Sequence, residues 1–120
     1  MSVRKNFGTY GEELVAQDLQ KQGYAIVARN YKKRFGEIDL IAQKNDELLF
    51  VEVKTRKNDY IEPENLISPA QQRKIIATAM AYVAEYDLVE YIWRFDAALL
   101  IGTPPYQTLT YIPNAFTQEE

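Results

Sequence analysis

Gly36-Glu37-Ile38-Asp39-Leu40-Ile41-Ala42-Gln43-Lys44-Asn45-Asp46-Glu47-Leu48-Leu49-Phe50-Val51-Glu52-Val53-Lys54-Thr55-Arg56 is the stretch that decides the fold. Two apolar runs flank a single polar turn, Lys44 to Glu47, and Asn45-Asp46 suits a tight hairpin loop. A two-residue loop and a four-residue loop give the same register. In it Asp39 lies opposite Glu52, Glu37 opposite Lys54 and Ile41 opposite Phe50. Side chains alternate along a strand, so Glu52 and Lys54 share a face, and Asp39 faces the same way. Opposed Cβ atoms stand about 4.5–5.5 Å apart, and like charges there are destabilising. A shared Mg²⁺ or Mn²⁺ would remove that repulsion, because hard cations take oxygen ligands. Two carboxylates and an amine are also the groups that a divalent metal and a scissile phosphate require. A three- or five-residue loop would put the two carboxylates on opposite faces.

Outward from this hairpin the chain reads as helix, three strands, helix, two strands. Residues 7–22 carry Phe7, Tyr10, Leu14, Val15 and Leu19 at helical spacing, with Gly23 as the stop. Tyr24 to Asn30 reads as a strand and Lys32 to Phe35 as a turn. Asn58 to Ile67, with Pro63, reads as a mobile polar linker. Ser68-Pro69-Ala70-Gln71 signals a helix start running to about Tyr86, with Ile75, Ile76, Ala79, Met80 and Val83 buried. Ile92–Ile101 and Gln107–Ile112 complete the strands, and residues 113–120 read as a tail. The second helix can cross over to a fourth strand parallel to the third. The expected fold is an α/β domain spanning residues 1–120, a mixed five-stranded sheet flanked by two main helices.

Composition narrows the chemistry. The 120 residues include no cysteine and no histidine. Thiolate chemistry, disulfides and the usual imidazole base are therefore excluded, and hydrolysis here would rest on carboxylates, lysine and a metal. No apolar run reaches a membrane span of about 18 residues. Met1 to Lys5 lacks a signal-peptide core, so a soluble cytoplasmic protein is expected. The net charge of −3 counts against a strong non-specific nucleic-acid binder. Its distribution softens that: Arg29, Lys32, Lys33 and Arg34 precede the acidic pair, and Lys54, Arg56 and Lys57 follow it. The first cluster interleaves with Tyr31 and Phe35, which suits phosphate contact and base stacking. The competing readings are a salt bridge of Lys54 with Asp39, Glu52 or Glu37 on a solvated sheet face, and a solvated basic turn. Asp96, on an apolar strand, reads as a partner of Arg94 or of nearby backbone rather than as a catalytic group.

The order αβββαβ, with Asp39 followed by Glu52-Val53-Lys54 on the next strand, resembles the PD-(D/E)xK nuclease superfamily, the restriction-endonuclease-like fold. More narrowly, Gly8-x-x-Gly11-Glu12, Gly23-Tyr24, Arg29-Asn30-Tyr31, Gly36 to Ile41, Phe50 to Arg56 and Arg94-Phe95-Asp96 resemble the bacterial YraN family, which is similar in fold to Holliday-junction resolvases. The resemblance implies a metal-dependent endonuclease, a phosphodiester hydrolase acting on DNA, with branched DNA as one substrate class and a homodimer as its working form. It implies Asp39 and Glu52 as metal ligands for Mg²⁺ or Mn²⁺. Lys54 would orient or deprotonate the attacking water, or steady the transition state. Glu12 would be an additional acidic residue of the site; by itself it reads equally as a first-turn acid favoured by the helix dipole. Where relatives carry a lysine in the first turn of the second helix, this chain has Gln71-Gln72, followed by Arg73 and Lys74. Lys32, Lys33, Arg34, Arg29, Arg56, Arg73 and Lys74 are the expected nucleic-acid contacts. Two other functions fit the same residues: a nucleic-acid-binding module without useful turnover, and a protein-interaction subunit.

Overall fold

The computed structural model describes residues 3–57, 65–105 and 107–118, with side chains from Tyr10 onward. The elements follow the expected order: α1 (Val3–Lys21), β1 (Ala25–Lys33), β2 (Gly36–Lys44), β3 (Glu47–Arg56), α2 (Pro69–Glu85), β4 (Ile92–Ile101) and β5 (Thr108–Phe116). One mixed sheet runs β1-β2-β3-β4-β5, antiparallel except for the β3–β4 pair. The β3–α2–β4 crossover makes that pair parallel, as expected for strands joined through a helix. No helix of the described residues is long and apolar enough to cross a membrane.

Alternation along the strands sorts the core into two layers. Leu48 and Phe50 of β3 and Phe95, Ala97 and Leu99 of β4 pack with Ile75, Ala79, Tyr82 and Val83 of α2. Leu49, Val51, Ala98 and Leu100 pack on the other face with Val15, Ala16 and Leu19 of α1. Each helix therefore buries one apolar stripe on its own face of the sheet. The β2–β3 turn is the two-residue loop Asn45-Asp46 between paired Lys44 and Glu47. Asn45 takes φ +55°, the left-handed conformation such loops demand. Gly23, at φ +98°, closes α1, and the Tyr24 N–H donates to the Leu19 carbonyl.

Four expectations need correction. The first helix starts at Val3 rather than at residue 7, and β1 runs through Lys33, leaving only Arg34-Phe35 as turn. The polar linker does not reach Ile67: Leu66 and Ile67 are buried against α2, while the expectation for residues 58–64 lies outside the described residues. The chain past Ile112 is not all tail, because β5 continues through Pro113 to Phe116. Proline is tolerated on that edge strand because the ladder is interrupted by a register shift between Phe95 and Ala97.

Asp96 sits at that shift, fully buried. Its carboxylate accepts from Arg94 Nε at 2.9 Å, from Tyr111 Oη at 2.6 Å and from the Asn114 N–H at 2.9 Å. It thus does structural work, as its sequence context suggests, tying the bulged edge strand to β4. Burial and the Asp96 charge push the Tyr111 hydroxyl up. Breaking such a buried, paired charge costs about 3 kcal/mol. Asp96→Asn should therefore lower the unfolding free energy by about that amount, read from the urea midpoint at unchanged m-value.

Candidate metal and nucleic-acid site

The site begins where the β2–β3 ladder ends. Paired residues run from Lys44–Glu47 to Leu40–Val51, in the expected register. One step further, the Val53 N–H donates to Asp39 Oδ2 at 2.8 Å. A side chain has taken the place of a strand carbonyl, and the hairpin opens into a fork. A second irregularity coincides with it on the other edge of β2. Tyr31 pairs with Ile38 and Arg29 with Leu40, but Asn30 between them adopts φ +52°. Ile38 joins the α2-side core and Leu40 the α1-side core, so the alternation slips at Asp39. Strict alternation brings Asp39 beside Glu52 by plain opposition across the hairpin. Here it stands there through a break in both ladders.

β3 is regular through this region. Glu52 and Lys54 project to the α2 side, and Lys54 Nζ lies 3.3 Å from Glu52 Oε2. The same oxygen accepts from Gln71 Nε2 at 3.0 Å. Gln71 makes only half of the expected capping box. Its N–H donates to Ser68 Oγ at 3.1 Å, while its side chain turns away from the helix start to Glu52. A cavity of about 430 Å³ opens over these groups, with Gly36, Glu37, Asp39 and Glu52 on the sheet side and Gln71 and Lys74 on α2. Lys54 pairs with Glu52 rather than with exposed Glu37, which has no ion pair among the described residues.

Two neighbouring carboxylates under cover of α2 hold their protons tightly. Burial and then the Asp39 charge push Glu52 up to about 7, against the opposing pull of Lys54. Burial also raises Asp39, against the Val53 N–H. Glu12 reaches the fork from α1, where its Oε1 accepts from Asn30 Nδ2 at 3.4 Å. Partial burial and the Asp39 charge raise it as well. Glu12 therefore senses Asp39, and Asp39 and Glu52 sense each other. Among the described residues, however, no three Asp or Glu side chains gather tightly enough to cage a cation alone. The donor set fits a Mg²⁺-like ion, which typically takes one or two carboxylates and completes its shell with water and substrate oxygens.

Gly36 sets how closely α2 approaches this cavity. A Cβ there would lie 2.5 Å from Thr78 Oγ1 and 2.9 Å from the Lys74 carbonyl oxygen. The second contact is helix backbone, which cannot rotate aside. Gly36→Ala should therefore cost about 2 kcal/mol, the usual penalty for overpacking, visible as a lower melting temperature.

The basic residues divide. Lys32, Lys33, Arg34 and Lys74 surround a second cavity of about 380 Å³ that shares Gly36, Glu37 and Lys74 with the first. Arg29 does not join them; it meets Glu13 of α1 at 3.0 Å. Arg56 donates to the Thr55 carbonyl at 2.9 Å, and exposed Arg73 lines neither cavity. Gln71 is the residue whose second role sequence reasoning missed. Its backbone caps the helix start as read, while its side chain reaches Glu52 of the acidic pair. The available signal was its position in the first turn after the crossover from the strand that carries Glu52.

Comparison with known proteins agrees with this architecture. A family profile described as "Uncharacterised protein family UPF0102", the YraN family of the resemblance above, matches residues 11–100. A UPF0102 protein of Dictyoglomus turgidum is 42% identical over 115 residues, covering 93% of this chain and 98% of its own. One from Alkaliphilus metalliredigens is 39% identical over 116 residues, covering 95% and 100%. Among solved structures, Hjc of Archaeoglobus fulgidus, a Holliday junction resolvase, superposes with a TM-score of 0.52 at 18% identity, over 84% of this chain and 74% of that one. Identity that low speaks for the fold alone.

Proposed function

Because the chain belongs to the UPF0102 family and its matched region holds Asp39, Glu52 and Lys54 together, we propose that it is a metal-dependent endonuclease that hydrolyses phosphodiester bonds in DNA. One observation carries the reading. Asp39 and Glu52 are half-buried side by side over an open cavity, close enough for their carboxyl groups to interact directly, while Asp39 Oδ2 accepts from the Val53 N–H and Glu52 Oε2 accepts from Lys54 and Gln71. A cation between them would replace that contact of like charges.

A bound Mg²⁺ or Mn²⁺ would supply Lewis-acid polarisation of the phosphate and a more acidic water. Asp39 and Glu52 would hold it, and its charge would relieve their raised proton affinity. Lys54, already within reach of Glu52, sets a positive charge where the phosphoryl oxygens gain negative charge. It also orients the attacking water. Glu12, from the other side of the fork, adds an acid that can hold a proton or a second water near Asp39. Lys32, Arg34 and Lys74 at the cavity margin contact the flanking backbone. The resolvase similarity extends the substrate class to branched DNA. There, two equivalent strands call for two symmetric active sites, hence a homodimer.

The deciding experiment is a cleavage panel of single strands, duplexes, flaps and four-way junctions in Mn²⁺, with wild type and Lys54→Ala side by side. Cleavage of at least one substrate, lost in the variant, is expected. Salt-sensitive binding that survives Asp39→Ala with no cleavage by wild type would instead mark a binding module.

A further inference from the structure

Phe35 is a large apolar side chain with about half of its surface open to solvent. It occupies the two-residue turn between β1 and β2, is 48% exposed, and belongs to neither core layer. Turn positions favour small or polar residues, so an exposed ring here adds nothing to folding. Its neighbours are cationic. Lys32, Lys33, Arg34 and Lys74 line the same cavity, against the single carboxylate of Glu37. Lys33 is partly engaged, 3.6 Å from Glu85 and over the Tyr31 ring. Lys32, Arg34 and Lys74 have no ion pair among the described residues. The cavity runs into the acidic one through Gly36, Glu37 and Lys74. Asp39 lies four positions along the chain from Phe35, about 13 Å at strand rise. That is a few nucleotides from the reacting phosphate.

On the reading of this chain as a nuclease, we propose that the β1–β2 turn is a subsite for an unpaired nucleotide of the substrate strand, its base stacked on Phe35 and its phosphates held by Lys32, Arg34 and Lys74. A paired base in a duplex shows only its edges. A base without a partner offers a face, and any base can stack. The subsite therefore selects DNA with an unpaired stretch beside the cut, at a fork, flap or junction, over continuous duplex, without regard to base identity.

The test uses the full chain in EDTA, so that no strand is cut, and fluorescence anisotropy of a labelled 12-nucleotide single strand and a 12-base-pair duplex. Base–aromatic stacking is worth about 1–3 kcal/mol, which corresponds to a loss of about thirtyfold at its middle. Phe35→Ala should weaken single-strand binding by about thirtyfold and change duplex binding by less than about twofold. Phe35→Trp should retain the affinity, and its added indole emission should be quenched on binding the single strand. Arg34→Ala should weaken both substrates and lower the salt slope by about one. Equal losses for both substrates in Phe35→Ala, or none for either, would overturn the subsite. If wild type cuts DNA in the Mn²⁺ panel while Phe35→Ala binds like wild type, only this inference falls. If wild type neither binds nor cuts any of the substrates, the nuclease reading falls and takes this one with it.

Discussion

Asp39→Asn is expected to abolish Mn²⁺-dependent cleavage while leaving the fold intact. The amide keeps an oxygen for the Val53 N–H, so the fork retains its backbone partner. Asp39→Ala would remove that acceptor too, leaving a part-buried N–H unsatisfied at a cost of about 1–3 kcal/mol. The Asn variant therefore separates chemistry from folding. Removal of one of two anionic ligands should eliminate measurable Mn²⁺ binding by calorimetry. Lys54→Ala should differ. It leaves both carboxylates, so Mn²⁺ still binds, and tighter than before because a competing cation is gone. Loss of a preorganised charge at the transition state costs about 10²–10³-fold in rate, which should appear in kcat with KM little changed. Mn²⁺ binding undiminished in Asp39→Asn would sink the assignment of the ligands. A Lys54→Ala enzyme that cuts at the wild-type rate would remove lysine from the mechanism and leave the metal site standing.

The hairpin was legible because its turn is short and its flanks are uniformly apolar. Asn45-Asp46 suits a two-residue loop, and that loop and the four-residue one share the parity that pairs Ile41 with Phe50 and Leu40 with Val51. Ser68-Pro69 fixed the start of α2 with equal economy, through a local cap that needs no tertiary partner. What escaped was what depends on contacts far apart in sequence. The fork at Asp39 needs the left-handed Asn30 of β1 and the N–H of Val53, and periodicity assumes that neither exists. Gln71 has an obvious local role, and only the crossover geometry shows the larger one. Pro113 reads as a strand breaker, and the register shift between Phe95 and Ala97, where Asp96 receives the Asn114 N–H, lets β5 continue past it. Arg29 looks like its basic neighbours, yet a strand turns it toward α1 and Glu13 while Lys32 and Arg34 stay with the site.

Glu52→Gln should make the metal-free protein more stable at pH 8 and leave it unchanged near pH 4. The unfolded chain releases the Glu52 proton near the ordinary value of 4.5, and the folded chain near 7. Below 4.5 the carboxyl is protonated in both states and the fold bears no penalty. Between these values the folded state binds more protons than the unfolded one, so stability falls as pH rises. Above 7 the whole cost of a buried charge beside Asp39 is present, on the order of 3 kcal/mol. The glutamine carries no charge and keeps an oxygen for Lys54 and Gln71, so its melting temperature at pH 8 should exceed that of wild type by about 10 °C. Mn²⁺ should reverse the ranking. It binds the folded wild type alone and adds about 4.1 kcal/mol at a thousandfold excess over Kd, more than the penalty it has to offset. It competes with protons, so this gain should vanish at pH 5, and the glutamine variant should show none at any pH. The contrary outcome is informative. If Glu52→Gln melts lower than wild type at pH 8 without metal, the Lys54–Glu52 pair is holding the sheet together, and the acidic pair belongs to the scaffold rather than to a reaction.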